Sequence, residues 1–323
     1  MEKPIILKAA KLPEATVAEL KATFDVIDLP TEPEAARAVL EAEGARVRGV
    51  ALRKTIIDTA FLEALPQLEI ISSYSAGLDN VDVPAVKARG IVIENTSHIL
   101  AEDVANAALG LALAVTRDLV QADGFVRAGK WPGQPQYRLG RSISRMKVGI
   151  VGLGTIGQAL ARRLEAMGAE VHYHGPRAKP VDYPFHADPA DLAAVCDMVI
   201  LTCPLSEATR HLVDARVLEA LGPRGFLINV ARGPVVDEAA LLACLAADGL
   251  AGAALDVFEH EPQVPEALIA DPRVVLTPHL GSGTEETRQA MADHVVDSLA
   301  RHFAVPGPRS RPALASAGQV RSA

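Results

Sequence analysis

Three residues in the second half of the 323-residue chain could together do acid–base chemistry on a small organic anion: Arg232, Glu261 and His279. Arg232 follows the apolar run Phe226–Asn229, and its planar fork can grip a carboxylate while polarising a neighbouring keto oxygen. His279, after Pro278, can give or take the proton that such a carbonyl needs. Glu261 lies in the loop Phe258-Glu259-His260-Glu261-Pro262, which can reach His279; a carboxylate beside an imidazole orients the ring and stabilises its charged form. By spacing alone Glu259 and His260 are rivals for that role. His98, His172, His186, His211 and His294 have no comparable company in the sequence. No His, Cys or acid spacing of the zinc type occurs, so no metal is expected, and nothing resembles a nucleophile elbow.

A second constellation could hold a dinucleotide. The apolar run Val148–Val151 leads directly into Gly152-Leu153-Gly154-Thr155-Ile156-Gly157 and then a helical pattern, Gln158–Met167, that Gly168 stops. Strand, glycine turn and helix in this order are the context a pyrophosphate-binding turn requires. Gly152 permits the tight turn, Gly154 lets the backbone approach the phosphates, and Gly157 lets helix pack on strand. After the next strand, Glu170–Tyr173, come His174, Gly175, Arg177 and Lys179, with no acid before Asp182. A cationic loop without a ribose-binding carboxylate favours a 2′-phosphate. NADP(H) is therefore expected in preference to NAD(H), which remains the alternative.

The elements that must position these residues alternate. Ile5–Leu7, Val26–Leu29, Val47–Leu52, Ile70–Ser72 and Ile91–Glu94 read as strands, separated by helical segments. Ala101–Ala128 reads as one long helix, apolar almost all round from Ala105 to Val115, as suits a helix buried between domains or in a dimer contact. Strands resume at Val148–Val151, Glu170–Tyr173, Met198–Thr202, Phe226–Asn229, Gly252–Leu255 and Val274–Leu276, and the helix Glu285–His302 follows and is expected to pack back on the first domain. Alternation of this kind implies parallel sheets. In such sheets ligands bind beyond the carboxyl ends of the strands, where Cys203-Pro204, Val230-Ala231-Arg232, Asp256 and His279 all stand. The expected fold is α/β: a doubly wound Rossmann domain over 100–283 and a flavodoxin-like substrate domain built from 1–99 and 284–305. The tail 306–323 is rich in Pro, Ser, Ala and Arg and is expected to be disordered.

Composition narrows the class. A net charge of −8 without a Lys/Arg cluster argues against nucleic acid or an anionic membrane as partner. Apolar stretches such as Ala107–Thr116 are short of the ~20 residues that span a bilayer. Three cysteines, none in a Cys-x-x-Cys pair, suit a reduced, cytoplasmic protein.

The chain also resembles the D-isomer-specific 2-hydroxyacid dehydrogenases over nearly its whole length. The matching segments are Ser75–Asp82, Gly152–Gly157, Asn229–Asp237, Ala254–Phe258 and Thr277–Ser282. Within the family it is most similar to hydroxyphenylpyruvate and glyoxylate/hydroxypyruvate reductases, through Cys203-Pro204-Leu205, Gly281–Arg288 and the cationic loop. The resemblance implies catalytic Arg232, Glu261 and His279, with Glu261 the partner of the histidine. It implies that backbone N–H groups of Ser75, Ala76 and Gly77 hold the substrate carboxylate, and that Arg53 meets an anionic group. It implies that Leu153–Ile156, His174–Arg177, Val230 and Asp256 line the cofactor, that the cleft between the domains closes on substrate, and that the protein is a homodimer. The implied reaction is reduction of a small 2-ketoacid to its D-2-hydroxyacid. The alternative is a nicotinamide-sensing, corepressor-like scaffold without turnover.

Overall fold

The computed structural model describes residues 2–307. The tail expected at 306–323 lies, from 308 onward, outside the described residues. Strands and helices alternate through the first part of the chain: β1 (Ile5–Ala9), α1 (Glu14–Thr23), β2 (Asp25–Asp28), α2 (Pro33–Glu43), β3 (Gly49–Leu52), α3 (Thr59–Ala64), β4 (Ile70–Ser73), α4 (Val83–Ala88) and β5 (Val92–Glu94). Two helices follow, α5 (Ser97–Arg117) and α6 (Leu119–Arg127). The second series is β6 (Lys147–Val151), α7 (Thr155–Ala166), β7 (Glu170–His174), β8 (Phe185–His186), α8 (Pro189–Val195), β9 (Met198–Leu201), α9 (Ala215–Leu221), β10 (Phe226–Asn229), α10 (Glu238–Ala246), β11 (Gly252–Leu255), α11 (Glu266–Ala270), β12 (Val274–Leu276) and α12 (Glu285–His302).

The chain divides into two compact units, Met1–Thr96 with the segment from Arg288 onward, and Ser97–Thr287. The first holds a parallel sheet of order β2-β1-β3-β4-β5, the flavodoxin-type order. Val50, Leu52, Ile70 and Ile71 are all but fully buried, as expected of short parallel strands covered on both faces. The later part of α12 packs on this sheet, where Ser298 and Ser72 share a hydrogen bond of 2.6 Å between buried hydroxyls.

The second unit holds a seven-stranded sheet, β12-β11-β10-β9-β6-β7-β8, all parallel. Counted from β6, this is the Rossmann order 3-2-1-4-5-6 with one further strand, and the order reverses between β6 and β9. Several helices here start on an aspartate whose side chain accepts an otherwise unsatisfied N–H of the first turn: Asp188 before α8, Asp214 before α9 and Asp237 before α10.

Two expectations need correction. The single helix Ala101–Ala128 is two helices, broken at Asp118, whose φ of 56° is left-handed. There the Asp118 carboxylate takes the Tyr137 hydroxyl and the fork of Arg138, tying the break to the loop beyond α6. The apolar middle of α5 is spent inside its own unit, against α7 and strands β10–β12, with Val104, Ala105, Ala108, Leu111 and Ala112 buried. At 21 residues α5 is, by length and composition, apolar enough to cross a bilayer, a test that a buried core helix of this kind also passes. The short β8 was not foreseen in the sequence.

Candidate active site

The glycine turn joins β6 to α7 at the carboxyl edge of the second sheet. Gly152 has φ 95°, and a Cβ there would stand 2.6 Å from the Cys203 Cα, so only glycine fits the turn against the end of β9. A Cβ at Gly157 would meet the Gly152 carbonyl oxygen at 2.3 Å, which explains the close approach of helix to strand. Above Gly154 a Cβ would meet nothing within 4 Å, and no side chain caps the start of α7. Open space beside an uncapped helix start is a fit for a pyrophosphate, which Leu153, Gly154, Thr155 and Ile156 would cradle through backbone N–H groups. Cys203 is buried, and burial pushes its thiol up to about 11, so it lines the turn as a neutral group. Pro204 beside it is exposed.

The ribose loop follows β7. His174 lies at the strand end and its Nδ1 is 3.0 Å from the carbonyl oxygen of His186 on β8. A carbonyl only accepts, so Nδ1 carries the hydrogen and Nε2 is the ring nitrogen available to a ligand. Gly175 is half-buried and Arg177 exposed. Lys179 is used differently: its ammonium donates to the Leu153 carbonyl at 2.6 Å, and its N–H to the Tyr173 hydroxyl at 2.7 Å, pinning the loop to the glycine turn.

The acid–base residues converge on the other half of the same edge. His279 Nδ1 lies 2.9 Å from Glu261 Oε2 and 3.1 Å from Oε1. Glu259, the rival by spacing, is turned away and paired with His211 at 2.9 Å. The loop at His279 has φ 54° and is held by Asp256, whose carboxylate accepts from the Thr277 hydroxyl (2.7 Å), Leu280 N–H (2.8 Å) and Gly281 N–H (2.9 Å). Asp256 is 1% exposed, and its carboxylate fixes the histidine loop.

Arg232 is positioned from β10. The buried Asn229 side chain accepts from Ala231 N–H (3.0 Å) and donates to the Arg232 carbonyl (2.9 Å), while an Arg232 Nη1 donates to the Ala231 carbonyl (2.7 Å). Val230 and Ala231 are buried beneath it. At Gly233 a Cβ would lie 1.9 Å from the Phe258 carbonyl, so the arginine segment runs directly against the loop that carries Glu261.

Arg53 and the Ser75-Ala76-Gly77 loop belong to the first unit. Arg53 stacks its guanidinium over Tyr74 at 5.6 Å. Asn80 donates to the Thr55 carbonyl at 2.5 Å and holds the segment after β3. Ser75 donates to the Gly77 carbonyl (2.7 Å), Asn95 to the Ala76 carbonyl (3.2 Å) and Thr96 N–H to the Ser75 carbonyl (3.1 Å), so the loop's carbonyls are tied back onto its own unit.

Sequence reasoning missed several partners. His211 has Glu259. His172 is bonded to Glu170 (2.8 Å) and to His186 (3.0 Å), and His294 lies 3.7 Å from Glu94. Only the two-residue spacing of Glu170 and His172 along one face of a strand could have been seen in advance. Asn229 and Thr277 were visible only within larger matching segments. Among the described residues no group of three His, Cys, Asp or Glu could hold a metal ion.

A sequence model of the D-isomer specific 2-hydroxyacid dehydrogenase NAD binding domain matches residues 109–281. The chain is 46% identical over 287 residues to glyoxylate/hydroxypyruvate reductase A of Arabidopsis thaliana, covering 88% of this chain and 91% of that one. It is 42% identical, over the same shares, to hydroxyphenylpyruvate reductase of Plectranthus scutellarioides. The structure of an NADPH-dependent glyoxylate/hydroxypyruvate reductase from Sinorhizobium meliloti, in complex with NADP and malonate, superposes with a TM-score of 0.85 at 39% identity, covering 93% of this chain and 94% of that one. The parallel sheets, the nicotinamide-dinucleotide turn and these likenesses agree: the chain is an oxidoreductase that belongs to the D-isomer-specific 2-hydroxyacid dehydrogenase family.

Proposed function

We propose that this protein reduces a small 2-ketoacid, of the glyoxylate, hydroxypyruvate or hydroxyphenylpyruvate type, to the D-2-hydroxyacid, with NADPH preferred over NADH. The observation that carries the reading is the His279–Glu261 pair at 2.9 Å beside the segment of Arg232. A bound nicotinamide supplies the hydride. Glu261 takes up Nδ1 of His279, which leaves Nε2 to hold the proton destined for the substrate oxygen. Arg232 grips the substrate carboxylate and polarises the keto oxygen. In the first unit, Arg53 and the backbone N–H groups of Ser75, Ala76 and Gly77 are assigned to an anionic group of the substrate. The relatives above are reductases, which supports turnover over a turnover-free scaffold.

Preference for NADPH is supported by His174 and Arg177 at the end of β7, in a loop without an acid before Asp182. A cation there suits a 2′-phosphate better than a ribose hydroxyl pair. We further assign the protein as a homodimer. With the middle of α5 buried in its own unit, the surface for a second copy is the α6 arm and the loop after it, where Leu119, Val120, Val126, Trp131 and Leu139 are exposed, Leu139 to 98%.

The test is a steady-state assay of glyoxylate, hydroxypyruvate, hydroxyphenylpyruvate and 2-ketogluconate, each with NADPH and NADH. Turnover of at least one ketoacid, faster with NADPH, is expected. Absence of turnover on every pair removes the proposal, and equal kcat/KM with both cofactors removes the preference.

A further inference from the structure

A second histidine–carboxylate pair draws on the same loop as the first. His211 Nε2 lies 2.9 Å from Glu259 Oε1, two residues before Glu261 in the same loop. The main chain of His211, at φ 51°, donates to the Pro234 carbonyl at 2.8 Å; Val213 N–H then donates to the Val235 carbonyl and Asp237 N–H to the Val213 carbonyl, each at 3.0 Å. Residues 211–213 are thus zipped to the segment that begins at Arg232. One residue therefore touches both halves of the acid–base site: its backbone is fixed to the arginine segment and its ring to the glutamate loop.

The loop needs such a tie. Apart from the His279–Glu261 contact, its side-chain anchors among the described residues include Glu238, which accepts Glu259 N–H at 3.4 Å, and Glu261 itself, which accepts Phe258 N–H at 3.3 Å. Burial pushes the Glu238 carboxyl up, the Glu259 N–H pulls it down, the Glu259 charge raises it again and His260 opposes that. Three carboxylates, Glu238, Glu259 and Glu261, meet here with His211, His260 and His279 as the imidazoles among them. Of these, only His211 bonds Glu259 side chain to side chain among the described contacts. Gly233, pressed against the Phe258 carbonyl, removes any slack between the two segments.

We infer that His211, acting through Glu259, is a positioning residue that holds Glu261 on His279 and in register with Arg232. The inference rests on the reading of Glu261 and His279 given under Proposed function. His211 is assigned no direct part in holding substrate or cofactor. Its expected signature is a catalytic site that still binds but in which fewer molecules have the carboxylate seated on the imidazole.

The experiment uses the whole protein with hydroxypyruvate as probe ketoacid. His211→Asn keeps a residue that tolerates left-handed backbone and is too short to reach Glu259. Its kcat should fall about tenfold, a loss in the range that misplacing a reacting group causes. Direct titration with NADP+ should give an unchanged Kd. KM for hydroxypyruvate should stay close to the parent's, so that the loss falls on kcat, as it does in Glu261→Gln, and is smaller than it is there. In the Glu261→Gln background, His211→Asn should cost little more, because both act on one contact. Glu259→Gln should behave as His211→Asn does, and it carries the test if the asparagine variant does not fold. A loss carried by KM or by the Kd for NADP+ instead of kcat, or an equal cost in both backgrounds, overturns the inference and leaves His211 a purely structural residue. If Glu261→Gln itself leaves activity unchanged, the reading of Glu261 falls, and the inference with it.

Discussion

At the scale of single residues, the chemistry rests on groups whose donors are already committed on one side. His279 has given Nδ1 to Glu261, which fixes the direction in which its Nε2 points, and an Arg232 Nη1 donates to the Ala231 carbonyl. Glu261→Gln should lower kcat for reduction by roughly 10–10²-fold, since the imidazole loses the carboxylate that orients it, while His279→Ala should lower the rate by roughly 10²–10⁴. Steady-state kcat checks the first, and an unchanged kcat in the variant would count against the pair. Arg232→Lys should lose on the order of 10²-fold in kcat/KM, since an ammonium cannot reproduce the planar fork, with the Kd for NADP+ kept. The thiols give an independent reading of the site's floor. Burial pushes Cys203 up to about 11 and Cys196 up to about 12, while Cys244 is half-buried and raised less. Alkylation requires thiolate and access. At neutral to mildly alkaline pH the native protein should therefore be labelled first at Cys244, with Cys196 and Cys203 reacting only once it is unfolded. Mass spectrometry of the labelled peptides decides, and early labelling of Cys203 would mean that the turn beneath the cofactor is open.

At the scale of elements, the strands were legible because short runs such as Val148–Val151 and Met198–Leu201 are apolar on both faces, as parallel strands must be. The glycine turn was legible because Gly152 and Gly157 answer to separate steric demands, while Gly154 leaves open space beside the helix start. What escaped were features set by tertiary partners. Nothing local in Arg117-Asp118-Leu119 announces a helix break; the left-handed Asp118 is held by Tyr137 and Arg138, some twenty residues later. β8 is two residues long, pairs through Tyr173 and His174, and offers no periodicity to detect. The histidine partners were invisible for the same reason, since His211 and Glu259 are 48 residues apart. Caps belong to this scale too. Asp214 accepts the Val217 N–H at 3.0 Å at the head of α9, and Asp214→Ala should cost about 1 kcal/mol, with Asp214→Asn close to neutral. Chemical denaturation of the three proteins checks this, and equal losses from alanine and asparagine would show that charge rather than capping matters there.

At the scale of the whole molecule, the acidic chain folds with many of its carboxylates engaged by cations or backbone N–H groups in both units. Lys8 and Lys21 lie on Asp28, Arg48 on Glu69, Arg216 on Asp188, and Arg273 on Asp271. The last of these is the best placed for a test. The Arg273 fork meets Asp271 at 3.0 and 2.7 Å, its Nη1 reaches Asp248 at 2.7 Å and its Nη2 the Leu245 carbonyl at 2.6 Å, so one side chain joins the ends of α10 and α11 to the start of β12, the strand that leads to His279. Arg273 holds the Asp271 carboxyl below its usual range, against burial that would raise it and with the Arg273 N–H adding to the effect. A carboxyl lowered in the folded state contributes stability above its unfolded value and loses it as pH falls through the folded one. With Asp271 only 14% and Arg273 25% exposed at the side chain, screening is partial, and Asp271→Asn should cost about 1–2 kcal/mol at neutral pH. In a unit of this size that corresponds to a Tm lower by about 2–4 °C per kcal/mol. The deficit should be complete above roughly pH 5 and should shrink as pH falls below roughly 4, where the parent's own carboxyl takes up its proton. Paired melting curves of parent and variant from neutral pH into the acid range decide it, and a deficit that stays constant throughout would mean that the fork stabilises by packing and not by charge.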